Sequence, residues 1–239
     1  MKQLAALSSA LLNDCLSAIS GTDAIVIGGQ ALAYWADYYN LDWQGVEASV
    51  TKDLDVFGNS THLINMSRVL HVSPIIQNPR FISALVGTIE IPLSAELFTN
   101  IDVVHTVAGL NRDDIRRHAV NVDIGGFNCL FMHPLHVLES RLKNIEKIPQ
   151  KRDPQGYAQA ALAVRMVHAY IAQRAASAEE SAALKAIEKV VSLGKVAAGK
   201  LVAKQGINLI DAIPFEHIQN VQFHAIRKKQ IINELAHLA

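Results

Sequence analysis

This 239-residue sequence has only two cysteines and no long apolar run. Its two cysteines, Cys15 and Cys129, are far apart and have no metal-type spacing, which argues against a disulfide framework. No apolar run reaches the roughly 18 residues of a membrane helix, so we expect no membrane-spanning segment. Asn13 and Asp14 interrupt the first apolar stretch, and this pattern favours an amphipathic helix over a signal peptide. We therefore expect a soluble, cytoplasmic protein without a membrane partner.

Positive charge is scarce in the first part of the chain. Residues 1–140 hold 7 Lys and Arg against 14 Asp and Glu, whereas residues 141–239 hold 15 against 8. Either the two parts meet different partners, or the difference arises because helix surfaces commonly carry Lys and Arg. Half of all residues are hydrophobic, so the chain can bury a sizeable core.

The hydrophobic pattern changes near residue 132. Before it, short apolar and β-branched runs alternate with helical segments, whereas helical periodicity dominates after it. The sequence therefore predicts an α+β fold, with a mixed sheet and flanking helices in residues 1–132 and a helical domain in residues 133–239. The predicted strands are 24–27, 51–57, 84–91, 101–107 and 120–131, the last with a turn at Gly125-Gly126. Residues 61–77 are predicted to form a helix followed by a strand, and the other predicted helices include 3–19, 30–39, 111–118, 135–145 and 221–238.

Two aspartates stand two residues apart in the run TKDLDVF. If this run is a strand, Asp53 and Asp55 lie on the same face, while Leu54 and Val56 face a core. Two adjacent carboxylates repel one another unless a cation lies between them. Mg²⁺ takes one or two protein carboxylates and completes its shell with water and phosphate oxygens. The spacing therefore favours a metal site, and Asp102 in NIDVVHTV is the candidate for a third carboxylate from a neighbouring strand.

A glycine pair supplies a candidate phosphate site. Gly28 and Gly29 follow the predicted strand AIVI and precede the predicted helix QALAYWADYY. Glycine lets the backbone approach a ligand closely, and a helix N-terminus presents free N–H groups to an anion. A glycine pair or an Asp-x-Asp strand alone is a weak signal, but the two in this order are a stronger one.

These motifs resemble the DNA-polymerase-β-like nucleotidyltransferase superfamily. The shared pattern is a strand, a glycine pair, a helix and then a strand with Asp-x-Asp, matched here by Gly28-Gly29 and Asp53-Leu54-Asp55. The phrase VIGGQALAYWA with TKDLDVF looks most like the toxin and abortive-infection branch. The resemblance covers residues 24–57 clearly and 99–153 weakly.

The resemblance implies transfer of a nucleoside monophosphate from a nucleoside triphosphate (NTP) to a hydroxyl acceptor. It also implies Mg²⁺ as the cofactor, with two ions bound. It implies that Asp53, Asp55 and Asp102 bind the metal and that Gly28 and Gly29 hold phosphates. Asp123 is the alternative third acid. The resemblance also implies that Lys143 lies close to the triphosphate and, less specifically, that Lys151, Arg152 and Asp153 do so.

The acceptor is less defined than the reaction. Basic residues after residue 140, among them Lys147 and the run Arg227-Lys228-Lys229, favour RNA, for example a tRNA end. A protein hydroxyl or a small molecule remains an alternative acceptor. The resemblance to the toxin branch also implies an antitoxin partner. The competing hypothesis is a catalytically inactive protein of the same fold that binds a nucleotide or a partner. A Rossmann-type site is a weaker alternative, because the sequence has no G-x-G-x-x-G.

Overall fold

A computed structural model of the chain describes residues 3–43, 53–78, 80, 82–177 and 179–236. The chain divides into two compact units, Met1–Ala33 with Val50–His133, and Tyr34–Ser49 with Pro134–Ala239. The assignment of Tyr34–Ser49 to the second unit has no counterpart in the sequence analysis. The two domains with a boundary after residue 132 stay a prediction.

A mixed sheet forms the centre of the first unit. Its order is β4-β5-β6-β3-β2-β8-β7, and β1 pairs with β6. The pairs β1/β6, β3/β6 and β2/β8 are parallel, and the others are antiparallel. The strands are β1 (Gln3–Leu4), β2 (Ile25–Val26), β3 (Leu54–Phe57), β4 (Ile75–Ile76), β5 (Leu85–Pro92), β6 (Leu97–Val104), β7 (Val120–Ile124) and β8 (Phe127–Phe131).

The central strands bury one face, as their alternating sequence predicts. On β3, Leu54 and Val56 are fully buried, and on β6 so are Ile101 and Val103. The residues between them, Asp55 and Asp102, are only partly buried and lie on the opposite face. The alternation thus directs both carboxylates away from the apolar core.

Helices cover the sheet of the first unit and begin at polar caps. They are α1 (Ser9–Ile19), α3 (Ser60–Val69) and α4 (Arg112–His118), capped by the side chains of Ser8, Asn59 and Asn111. A further helix, α2 (Gly28–Tyr38), begins in the first unit, and its residues from Tyr34 onward belong to the second.

The second unit is helical in its described residues after 133. Its longer helices are α5 (Pro134–Lys147), α6 (Pro154–Ala176), α7 (Glu180–Lys195), α8 (Ala197–Ala203) and α9 (Lys228–Ala236). Short 3₁₀ turns and a π-helical turn at Phe223–Arg227 connect or precede them. The predicted α+β architecture, a mixed sheet with flanking helices followed by a helical region, is therefore confirmed.

Several predicted boundaries differ from the structure. Residues 3 and 4 form a short strand, and α1 begins only at Ser9, because Ser8 caps it. The strand predicted at 101–107 begins at Leu97 and ends at Val104, so Asp102 lies in its C-terminal half and not at its start. The described part of the strand predicted at 51–57 begins at Leu54, directly after Asp53, whereas residues 51 and 52 lie outside the described residues. Every helix in the described residues is too short or too polar to cross a membrane.

Candidate metal centre

Three carboxylates meet on the partly exposed face of the sheet. Asp55 on β3 and Asp102 on β6 are register partners in the parallel pair of strands. Asp53 precedes β3 by one residue. One carboxylate oxygen from each of Asp53, Asp55 and Asp102 lies within 4.8 Å of the other two. The structure therefore brings together the three acids that the sequence analysis proposed as metal ligands.

The donors of this cluster suit a hard divalent cation. All three side chains are partly buried carboxylates, and oxygen ligands of this kind favour Mg²⁺, Mn²⁺ or Ca²⁺ over softer metals. Partial burial also strengthens the repulsion between like charges, which a cation would relieve. The residues present thus fit a metal ion of this class.

The surroundings of Asp102 disfavour its ionised form. Burial raises the pKa of Asp102 above its ordinary value, and the nearby charge of Asp53 raises it further. The Thr88 hydroxyl donates a hydrogen bond of 2.6 Å to Oδ1 of Asp102, which lowers this pKa but does not cancel the rise. Asp102 is therefore held by a hydrogen bond in surroundings that disfavour its charge.

The glycine pair lies directly beside the acids. Gly28 is the first residue of α2 and has a φ of +67°. A Cβ atom at this position would lie 2.0 Å from Oδ2 of Asp55, so only glycine allows this approach. The Ile27 N–H also donates to the Asp55 carbonyl oxygen, at 3.0 Å. The N-terminus of α2, with N–H groups that lack intrahelical acceptors, is therefore fixed next to the Asp55 carboxylate.

Asp123 lies elsewhere in the sheet. It is an exposed residue of β7, and its Oδ1 accepts a hydrogen bond of 3.1 Å from the N–H of Gly126 in the β7–β8 turn. Three strands separate β7 from β6 in the sheet order. The structure thus groups Asp102, and not Asp123, with Asp53 and Asp55.

The basic residues proposed for the triphosphate belong to the second unit and have local partners there. Lys143 Nζ lies 2.8 Å from Oε2 of Glu146, and 18% of the Lys143 side chain is exposed. Arg152 donates to the carbonyl oxygens of Ile145 and Glu146 at the end of α5. Asp153 caps α6 by accepting the Gly156 N–H. Their role near a triphosphate stays a prediction.

Two residues near the acids were missed by the sequence analysis. Thr88 became visible only through strand pairing, because it is the register partner of Asp102 across β5 and β6. Asn100 stands two residues before Asp102 on the same face of β6, and its buried Oδ1 has no hydrogen-bond partner among the described residues. The period of two along NIDVV would have indicated Asn100.

Comparisons with known proteins gave similarities at the level of structure. No protein-family model matches the chain, and no curated protein matches it either. A crystal structure of the Megavirus polyadenylate synthase is similar with a TM-score of 0.44 and 12% identity, covering 78% of this chain; the chain spans only 38% of that protein's length. JHP933 from Helicobacter pylori is similar with a TM-score of 0.43 and 10% identity, covering 94% of this chain and 100% of its own.

A candidate nucleotidyltransferase from H. pylori is also similar, with a TM-score of 0.42 and 11% identity over 98% of this chain and 99% of its own. These likenesses are distant, and each name describes only the protein that carries it. The toxin-type branch stays a prediction.

Proposed function

We propose that this chain is a metal-dependent nucleotidyltransferase, which transfers a nucleoside monophosphate from an NTP to a hydroxyl acceptor. The observation that carries this proposal is the meeting of Asp53, Asp55 and Asp102 within 4.8 Å. The approach of Gly28 to Asp55 supports it, because it puts a helix N-terminus, which favours phosphate, next to the acids.

Asp53, Asp55 and Asp102 would hold Mg²⁺, with two ions as the expected number. Bound Mg²⁺ supplies positive charge that orients and neutralises phosphate oxygens. In the reaction, the acceptor oxygen forms a bond to the α-phosphorus, the bond from that phosphorus to the bridging oxygen breaks, and pyrophosphate leaves. Asp102 would bind metal or accept the hydroxyl proton; its raised pKa makes it a better base than an ordinary aspartate.

The remaining residues bind the substrate in this proposal. Gly28 and Gly29 would contact the β- and γ-phosphates through their N–H groups. Lys143 would neutralise phosphate charge in the transition state. Its present partner, Glu146, would then lose this contact in part or share the lysine.

RNA is the acceptor that the basic residues favour. Lys147, Lys151 and Lys229 are exposed in the second unit, and contacts from such residues to phosphates contribute much of the affinity for RNA. Arg227 is less suited, since Glu188 and Glu234 already bind its guanidinium. A tRNA end is our specific candidate, and the resemblance to the toxin branch adds an antitoxin protein as the proposed partner.

A label-transfer assay tests the proposal. The protein is incubated with Mg²⁺ and each α-³²P-labelled NTP in turn, together with total RNA and protein extract. The controls are Asp53→Asn/Asp55→Asn, which keeps the side-chain shape, and Asp123→Asn, which makes the same change outside the cluster. We expect label on one acceptor with the wild type and with Asp123→Asn, but none with the double variant.

If no label is transferred, a measurement of NTP binding with and without Mg²⁺ is needed. Mg²⁺-dependent NTP binding that the double variant loses would indicate a missing acceptor or a nucleotide-binding protein without catalysis. Absence of both transfer and Mg²⁺-dependent NTP binding would refute the nucleotidyltransferase proposal.

A further inference from the structure

The hydroxyl of Thr88 makes a short hydrogen bond to one of the three acids. Its Oγ1 lies 2.6 Å from Oδ1 of Asp102. This distance is in the range of hydrogen bonds from a hydroxyl to an ionised carboxylate, which are about twice as strong as neutral ones. Strand pairing enforces the contact, because Thr88 and Asp102 are register partners in the antiparallel pair β5/β6.

The same register extends the contact into the metal cluster. Asp102 pairs with Thr88 on one side and with Asp55 on the other. Thr88, Asp102 and Asp55 therefore form a row across three neighbouring strands, all on the face opposite the buried Ile89, Ile101 and Leu54. Thr88 is thus the residue at the outer end of a row whose other two members are proposed metal ligands.

The hydroxyl restricts how the Asp102 carboxylate can rotate. An aspartate side chain has two rotatable bonds, and the hydrogen bond to Oδ1 limits both of them. A carboxylate that is already oriented loses less conformational freedom when it binds a cation, so its affinity for the cation is higher. A threonine on a strand is itself stiff at χ1, which makes it a precise support.

We propose that Thr88 is a positioning residue that orients Asp102 for metal binding. This inference rests on the proposed function, since it assumes that Asp102 binds a metal ion. Thr88 acts through Asp102 and need not touch the metal or the substrate.

Titration with Mn²⁺ alone, followed by electron paramagnetic resonance of the free ion, tests the inference without any catalysis. The variants are Thr88→Val, which keeps the shape but removes the hydroxyl, and Thr88→Ser, which restores a hydroxyl. Thr61→Val, at an exposed position on α3, makes the same atomic change outside the cluster. We expect about tenfold weaker Mn²⁺ binding by Thr88→Val, as is typical when a partner of a metal ligand is removed, and near wild-type binding by Thr88→Ser and Thr61→Val.

The outcomes separate this inference from the proposed function. Mn²⁺ binding by Thr88→Val equal to that of the wild type overturns the positioning role and leaves the metal site intact. No Mn²⁺ binding by the wild type overturns the metal site and the inference with it. If Thr88→Val does not fold, as judged by circular dichroism, Thr88→Ala takes its place in the same comparison. In the transfer assay, the apparent KM for Mg²⁺ should rise in Thr88→Val, while the KM for NTP at saturating Mg²⁺ should stay nearly constant.

Discussion

Gly28 and Asp55 are packed so closely that no side chain fits between them. A Cβ atom at Gly28 would lie 2.0 Å from Oδ2 and 2.8 Å from Cγ of Asp55. The strand that bears the acid and the helix that begins at the glycine are therefore fitted to each other at the candidate site. A shift in either one would separate the helix N-terminus from the carboxylate.

The first prediction concerns substitution of this glycine. Gly28→Ala combines the cost of a side chain at a positive φ with a clash against Asp55. Gly21→Ala carries only the cost of the positive φ (+70°), because an added Cβ there would have no atom of the described residues within 4 Å. We expect Gly21→Ala to lower the free energy of unfolding by about 1 kcal/mol and Gly28→Ala by about 1–3 kcal/mol more. Urea denaturation measures both. Equal losses in the two variants would mean that Asp55 moves aside freely.

The second prediction is that Asp102→Asn stabilises the metal-free protein. Because burial and Asp53 raise the folded-state pKa of Asp102, the folded state favours its neutral form. Below the pKa that Asp102 has in the unfolded chain, its carboxyl is neutral in both states and costs the wild type no stability. The free energy of unfolding of the wild type then falls as the pH rises through the pKa of Asp102 in the folded state. Asparagine has no charge to bury, and its side-chain oxygen can still accept the Thr88 hydroxyl.

Thermal unfolding in EDTA measures this effect. At pH 7.5 we expect the melting temperature of Asp102→Asn to exceed that of the wild type by about 2–4 °C, the shift that corresponds to about 1 kcal/mol in a chain of this size. The difference should shrink below about pH 4, where the wild-type carboxyl is also neutral. Mg²⁺ should raise the melting temperature of the wild type only. A lower melting temperature of Asp102→Asn at pH 7.5 would contradict the prediction.

The sequence predicted some parts of the acidic cluster and not others. Alternation of apolar and acidic residues in DLDVF placed Asp53 and Asp55 on the face away from the core, because this pattern is local to one strand. Asp102 was proposed as the third carboxylate because it lies in another predicted strand, and only strand pairing shows that it is the register partner of Asp55. Thr88 could not have been found, because its role depends on the register of β5 against β6, which the sequence of neither strand encodes alone.

For the basic residues, the sequence pointed to candidates but did not predict their interactions. Lys143 and Arg152 were singled out by their place in a motif, but the structure gives them local partners in Glu146 and the end of α5. A motif identifies charged residues that could bind a substrate. Which groups of the protein already pair with those charges is decided by tertiary packing, which the motif does not encode. For such residues an experiment has to separate a structural role from a substrate contact.

The third prediction identifies the third acid. Asp102→Asn should lower the rate of nucleotidyl transfer by about 10²-fold or more, because it removes a ligand charge that is worth several kcal/mol in the transition state. Asp123→Asn should leave the rate almost unchanged, since Asp123 caps the β7–β8 turn away from the cluster. Initial rates with the labelled NTP measure both effects. A large loss in Asp123→Asn with a normal melting temperature would assign the third acid to Asp123 instead.

The fourth prediction tests Lys143. Lys143→Met removes the ammonium charge but keeps an unbranched side chain, so we expect a KM for NTP about tenfold higher and a lower kcat, as follows from losing a charge-assisted bond to phosphate. Lys189→Met is the matched control, because Lys189 also pairs with a glutamate, Glu139, at 2.7 Å. Both variants lose one ion pair within the second unit and should lose similar stability. If the two variants had equal KM values for NTP, Lys143 would be a structural partner of Glu146 and not a ligand of the triphosphate.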